Sequence, residues 1–325
     1  MKSSGKKVLV TGGHGFIGHR VVKTLVERGH TPVVTDTHTN YGVIPATEIQ
    51  YLTHERIKPI LNVETYNFDI RYRDSMELMF DIVKPDLVIH LASYPRQKLV
   101  RQDPIPAAEV MCQGLLVTLT QAIKHKVQRF VFVSSSMVYG SFTDDVKETD
   151  ECNPQGQYGI LKLAGEQLVK DASRDTDLPF TIIRPSAVYG PLDVKDRVVA
   201  KFMTQAILGE SLRVNGANEC LDFTYVDDAA EGIVSAAFSP NTKNKIYNIT
   251  KSHSRSLLEA AELAVSIAGA GTIEVNGRDL DFPSRGSLNI DAARRDFGFN
   301  PKIDVEQGFR LYHAWLSNTN FWRNT

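Results

Sequence analysis

Apolar positions along this chain follow two alternating patterns. Short runs of β-formers at Lys7–Thr11, Thr31–Asp36, Tyr66–Ile70, Leu87–Leu91, Arg129–Ser134 and Phe180–Arg184 read as strands. Between them, apolar residues recur at helical spacing near Phe16–Arg28, Ser75–Lys84, Pro104–Lys124 and Tyr158–Ser173. Such alternation predicts an α/β chain with a parallel sheet and helices on both faces. Ligands of such sheets bind at the carboxyl ends of the strands. The segment from Thr37 to Thr65 is long for a connection. It holds Tyr41, Ile44, Tyr51, Ile57 and Ile60, which predicts an ordered insertion.

The first strand runs directly into glycines, in VLVTGGHGFIG from Val8 to Gly18. Gly12 allows the turn, Gly15 lets the backbone approach a pyrophosphate, and Gly18 lets helix and strand pack closely. The following helix then directs its N–H groups and positive dipole end at phosphate. The second strand ends in Asp36, whose carboxylate can accept from ribose hydroxyls and repel a 2′-phosphate. These features predict a Rossmann-type doubly wound sheet that binds NAD rather than NADP. After Arg184 the alternation loosens, and Gly190-Pro191, Asn215-Gly216 and Asn276-Gly277 mark turns. We therefore expect residues 1–186, with roughly 221–250, to form the NAD-binding unit. Residues 187–220 and 251–325 are expected to form a smaller, interwoven substrate-binding unit.

Bulk properties narrow the class. The 325 residues are 42% hydrophobic and 23% charged, ordinary for a globular enzyme. A net charge of −1 gives no electrostatic reason to expect nucleic acid or an anionic membrane. No apolar run approaches a membrane span. Cys112, Cys152 and Cys220 are odd in number and widely spaced, which predicts neither a disulfide framework nor a metal site. A cytoplasmic enzyme is expected.

Tyr158 and Lys162 form a Y-x-x-x-K pair in QYGILKLAGEQL. Four-residue spacing on a helix places both side chains on one face, about 6 Å apart at Cβ. A tyrosine titrates near ~10, and a neighbouring ammonium lowers that value. Tyr158 can then act as a base on a hydroxyl, with Lys162 free to hold a ribose. The pair follows a serine cluster, Ser134–Ser136, at a strand end. One of those hydroxyls can bind the substrate oxygen, while at least one is expected to satisfy the fraying backbone. His90 reads as a packed strand-end residue and His14 as a surface side chain of the phosphate loop. Asp227 and Asp228 read as first-turn helix acids rather than metal ligands.

With these residues assembled, the chain resembles the extended short-chain dehydrogenase/reductase superfamily. Within it, the NAD-dependent epimerase/dehydratase family that acts on nucleotide sugars is the nearest pattern. The resemblance rests on TGGHGFIG, FDIRYRD, HLAS, SSSMVYG, YGILK, RPSAVYGP and LDFTYVDDAAEG, and continues more weakly to GFNP at 298–301. It implies that Gly12, Gly15 and Gly18 bind phosphate, with Phe16 and Ile17 supplying backbone contacts. It assigns Asp36 to the ribose, Asp69 and Ile70 to the adenine, and Leu91, Ala92 and Ser93 to the middle of the cofactor. Pro185 and Val188 fall beside the nicotinamide. Ser135, five residues before the glycine of VYG, joins Tyr158 and Lys162 as the catalytic set. Tyr94, Arg96, Ser136 and Arg278 are implied substrate contacts, with Arg278 on the diphosphate. A homodimer, paired through the helices near 104–124 and 158–173, is implied too.

The implied reaction begins with hydride transfer from a sugar carbon to NAD. A 4,6-dehydratase of this kind carries Asp-Glu where Ser136 and Met137 stand, and a UDP-glucuronate decarboxylase carries Glu in place of Met137. The cysteine that other epimerases of the family place near this loop is missing as well. A C4 epimerase of a nucleotide sugar remains. Leu221 replaces an arginine common before Asp-Phe, Ala187 replaces an asparagine, and Met111 replaces another. Arg213, Arg255 and Arg285 are candidate replacements for the missing arginine. Arg96 and Lys98 are either contacts for an acidic sugar or a solvated basic loop. These departures keep two alternatives open: an NAD-dependent dehydrogenase of a sugar, sterol-like or small hydroxy substrate, and a non-catalytic NAD-binding scaffold.

Overall fold

The computed structural model describes residues 5–41 and 44–319. The first half contains β1 (Lys7–Thr11), α1 (Gly18–Glu27), β2 (Thr31–Thr35), α2 (Ala46–Ile57), β3 (Glu64–Tyr66), α3 (Arg73–Val83) and β4 (Leu87–His90). It continues with α4 (Gln97–Gln102), α5 (Pro104–Ala108), α6 (Gly114–Lys124), β5 (Arg129–Val133), α7 (Gln157–Arg174) and β6 (Phe180–Pro185). Next come β7 (Val188–Tyr189), α8 (Val198–Ile207), β8 (Ser211–Asn215), β9 (Cys220–Asp222), β10 (Thr224–Tyr225) and α9 (Val226–Phe238). The chain closes with β11 (Lys245–Ile249), β12 (Ser254–Ser256), α10 (Leu257–Ala268), β13 (Thr272–Asn276), α11 (Asp291–Phe297) and α12 (Val305–Ser317).

The central sheet has seven parallel strands in the order β3-β2-β1-β4-β5-β6-β11. Strands as apolar as RFVFV in β5 are buried along their whole length, because helices cover both faces. Val21, Val22 and Leu25 of α1 pack with Ile233 and Val234 of α9 on one face. Met76 and Phe80 of α3, Leu115 and Leu119 of α6, and Val169 of α7 cover the other. Strand order reverses between β1 and β4, which opens a crevice at their carboxyl ends.

A second hydrophobic cluster gathers Phe202 and Met203 of α8, Leu212 and Val214 of β8, Ala260 and Ala264 of α10, and Phe309 and Tyr312 of α12. α10 is well delimited: Ser256 and Glu259 form a reciprocal capping box, and Gly269 ends the helix at φ 70°. Leu221, Phe223 and Tyr225 pack in this second cluster, whereas the sequence pattern grouped them with the first unit. The reason is pairing: β9 joins β12 in an antiparallel ladder and never enters the central sheet.

Three other expectations shift. β3 ends at Tyr66, so Asp69 and Ile70 lie in the turn after it, where the Asp69 carboxylate accepts the Arg71 amide at 2.9 Å. The helical stretch 104–124 is broken by a wide turn, Glu109–Gln113, between α5 and α6. The 37–65 insertion is ordered around α2, with Gly42 and Val43 outside the described residues. Among the described residues no helix is long and apolar enough to cross a membrane.

Candidate active site

The crevice beside β1 is shaped for a dinucleotide. Gly12 turns the chain at φ 71°, and a Cβ there would lie 2.8 Å from the Ala92 nitrogen. A Cβ on Gly18 would lie 2.2 Å from the Gly12 carbonyl oxygen, so only glycine permits this closeness of turn and helix. α1 starts with no side chain capping it, its His19 amide donating instead to the Gly15 carbonyl at 3.1 Å, so the glycine turn itself forms the helix start. Leu91 and Ala92 line the loop's other side, their amides donating to the Thr11 carbonyl (3.0 Å) and Thr11 Oγ1 (3.3 Å). Phe16 and Ile17 pack against the buried Val188, which brings that residue beside the glycine turn.

Asp36 holds the far end of the crevice. Its carboxylate accepts the backbone amides of His14 (3.0 Å) and His38 (2.9 Å). His14, expected at the surface, is instead 4% exposed. Its Nδ1 lies 2.7 Å from His38 Nε2, with the two rings nearly parallel, and burial lowers its pKa. Asp69 is gripped by Arg71, whose Nη2 donates at 2.7 Å. Burial raises the Asp69 pKa, but the Arg71 hydrogen bonds outweigh it and hold the group below its ordinary value.

Ser135, Tyr158 and Lys162 meet where β5 ends against α7. The Ser135 Oγ accepts the Met137 amide at 3.2 Å, capping a short 3₁₀ turn, Ser136–Tyr139. The Ser135 side chain faces the Tyr158 phenol. Burial pushes the Tyr158 phenol up, opposed by the neighbouring Ser135 hydroxyl and by the charge of Arg197. Here the structure corrects the sequence argument. Lys162 turns to the Val133 carbonyl at 2.8 Å and sits over Phe132, 5.9 Å from the Tyr158 ring centroid. The cation that opposes the rise in the Tyr158 pKa is Arg197. Burial brings the Lys162 pKa down to about 8, against the raising effect of Glu166.

The other serines have structural partners. Ser134 donates to Glu166 at 2.6 Å and Ser136 to Ser186 at 3.1 Å. Glu166 continues the face of α7 that carries Tyr158 and Lys162, at the next four-residue step. It receives Arg184 in a two-pronged ion pair, Nε at 2.9 Å and Nη2 at 2.7 Å, with both side chains almost fully buried. Arg184 also donates to the Tyr139 hydroxyl at 2.8 Å. This network fixes β6, the 3₁₀ turn and α7 to one another, and thereby fixes the tyrosine. The E in YGILKLAGE and the R of RPSAVYG were its only trace in the sequence.

The expected substrate contacts are dispersed. Tyr94 is buried, packs on Tyr41 at 4.1 Å between ring centroids, and belongs to a small cluster that backs Tyr158. Arg96 donates to Asp196 at 3.0 Å. Arg278 lies 3.4 Å from Glu219 and donates to the Phe282 carbonyl. Leu221 is buried, and Arg255 is its register partner across β9 and β12. Ala187 holds φ 35°, a left-handed conformation that asparagine tolerates better. His90 is a core residue, bonded to Thr11 Oγ1 at 3.0 Å. Asp228 accepts the amides of Lys302 and Ile303, tying a distant loop to α9.

The sequence pattern described as the NAD dependent epimerase/dehydratase family matches residues 8–250. The chain belongs to this family. It is 27% identical over 316 residues to the uncharacterized UDP-glucose epimerase YtcB of Bacillus subtilis (strain 168), covering 96% of this chain and 98% of that protein. It is equally 27% identical over 340 residues to dTDP-D-glucose 4,6-dehydratase of Homo sapiens, covering 98% and 92%. The fold superposes on UDP-glucuronic acid 4-epimerase of Bacillus cereus, in complex with UDP-glucuronic acid and NAD. That match has a TM-score of 0.88 at 25% identity, over 96% of this chain and 99% of the other. NAD is the family's cofactor, and the glycine turn with Asp36 at its far end accommodates it.

Proposed function

We propose that this protein inverts C4 of a nucleotide sugar through a transient 4-keto intermediate. The observation that carries this reading is the convergence of Ser135 and Tyr158 where β5 ends against α7, with non-acidic Ser136 and Met137 beside them. Both are buried, and neither supplies the acid or base that elimination or decarboxylation needs. Tyr158 takes the proton of the C4 hydroxyl. Ser135 already accepts from Met137, so its single proton is the donor it offers, first toward Tyr158 and then toward the developing keto oxygen as the substrate proton leaves. Burial opposes phenolate formation, and Ser135 with Arg197 counters it. NAD, held by the glycine turn and Asp36, would supply the hydride chemistry at C4, accepting hydride in its oxidised form and returning it to the other face of the ketone in its reduced form. Tyr158 then gives its proton back to the new hydroxyl.

Lys162 spends one of its three donors on Val133 and has two for the nicotinamide ribose. Gly12, Gly15, Phe16, Ile17 and Gly18 hold the pyrophosphate, and Asp36, Asp69 and Ile70 the adenosine. Leu91, Ala92, Ser93, Pro185 and Val188 surround the rest of the cofactor. Tyr94, Arg96, Ser136 and Arg278 shape the substrate side, Arg278 with its fork suited to the diphosphate. We also infer a homodimer through the outer faces of α6 and α7, where Leu116 and Ile160 are 47% and 52% exposed. A cytoplasmic location agrees with three unpaired cysteines. The test is Tyr158→Phe: turnover of a UDP-sugar should fall at least a hundredfold with bound NAD unchanged. Full activity in that variant would overturn the mechanism.

A further inference from the structure

The segment between β2 and β3 does more than join two strands. α2 crosses to the second hydrophobic cluster, where Leu52 is fully buried. Two of its polar side chains reach the loop between β7 and α8. Arg56 donates twice to the Leu192 carbonyl, from Nη2 at 2.6 Å and Nε at 3.2 Å. Glu48 accepts the Lys195 amide at 2.7 Å. Both residues are buried, and their spacing places them near one stripe of the helix.

The loop they grip is not at rest on its own. Leu192 sits at φ 73°, which a non-glycine residue keeps only where its surroundings dictate it. The same loop continues into the substrate side. Asp193 is buried with its carboxylate 3.6 Å from Arg197 Nε, and Asp196 receives Arg96. Arg197 is the cation whose charge acts on Tyr158. A chain of contacts thus runs from α2, through the 190–197 loop, to Arg197 and Arg96.

We propose that Arg56 and Glu48 are positioning residues. They hold the 190–197 loop in the one form that keeps Arg197 on the Asp193 carboxylate and Asp196 on Arg96 at the substrate side. The proposal rests on Tyr158 being the base. The planar fork of Arg56 matters, because two donors converge on one carbonyl, which a lysine ammonium cannot reproduce in the same geometry. For Glu48 the accepting oxygen matters and the charge does not, so glutamine should replace it.

The first readout is hydrogen–deuterium exchange on the full chain without substrate, comparing wild type with Arg56→Met, Arg56→Lys, Glu48→Ala and Glu48→Gln. Exchange at residues 192–197 should rise about tenfold in Arg56→Met and Glu48→Ala, and less in Arg56→Lys. Glu48→Gln should match wild type, and the β1–β5 strands should be unchanged throughout. The second readout is kinetics on whichever nucleotide sugar the wild type turns over. Arg56→Met should raise KM at least fivefold and lower kcat, with NAD content unchanged. A folded Arg56→Met with wild-type exchange at 192–197 overturns the proposal. So does a rise spread evenly over the whole chain, which would mark Arg56 as a general stabiliser. If the wild type turns over no nucleotide sugar, the epimerase reading fails while the exchange data still decide this one.

Discussion

Replacing Glu166 by leucine should be among the most damaging single changes in this chain. Glu166 is fully buried and accepts three hydrogen bonds, two from Arg184 and one from Ser134. The substitution leaves a guanidinium that is 2% exposed without its counter-charge. Breaking a buried pair from one side costs about 3–5 kcal/mol, against a total of roughly 5–15 kcal/mol for a whole domain. At about 2 °C per kcal/mol for a chain of this size, the melting temperature should fall by roughly 8 °C. The double variant Glu166→Leu with Arg184→Met removes both charges, and should recover much of the loss. Thermal melts of wild type, both single variants and the double variant make the cycle. A Glu166→Leu protein that melts within about 2 °C of wild type would refute the reasoning. So would a double variant less stable than either single one.

Lys162 makes stability depend on pH. The folded chain releases this proton near about 8 and the unfolded chain near 10.5, so the unfolded state holds more protons in between. Stability should therefore rise with pH across that window, by ~3 kcal/mol in cofactor-free wild type relative to Lys162→Met. Parallel curves for the two proteins would contradict this. Gly18→Ala drives a Cβ into the Gly12 carbonyl, and should weaken NAD at least a hundredfold by calorimetric titration. A threefold change would mean the turn is looser than described. Leu116→Glu with Ile160→Glu should give a monomer in sedimentation, whereas an unchanged dimer would place the interface elsewhere.

What the sequence revealed was local. The glycine turn, Asp36 and the Tyr158/Lys162 face each depend on spacings of a few residues, and each stands where its spacing implies. What it concealed was tertiary. Helical spacing places Lys162 and Tyr158 on one face, yet the Val133 carbonyl, 29 positions away, decides where the ammonium points. Nothing in the local pattern around Tyr158 announces Arg197, which is held by Asp193 of the 190–197 loop. Arg56 and Leu192 are 136 positions apart, and no periodicity links them. His14 looked like a surface residue because nothing near it in sequence announces His38 as its partner.

Epimerisation of this kind retains its cofactor. Purified protein, given no added NAD, should be incubated with UDP-glucose and UDP-glucuronic acid and followed by NMR with absorbance at the NADH band. A C4-inverted sugar with no accumulating NADH is the expected result. An unchanged sugar, with NADH appearing only when NAD and a simple hydroxyl compound are supplied, would contradict it and make the protein a dehydrogenase.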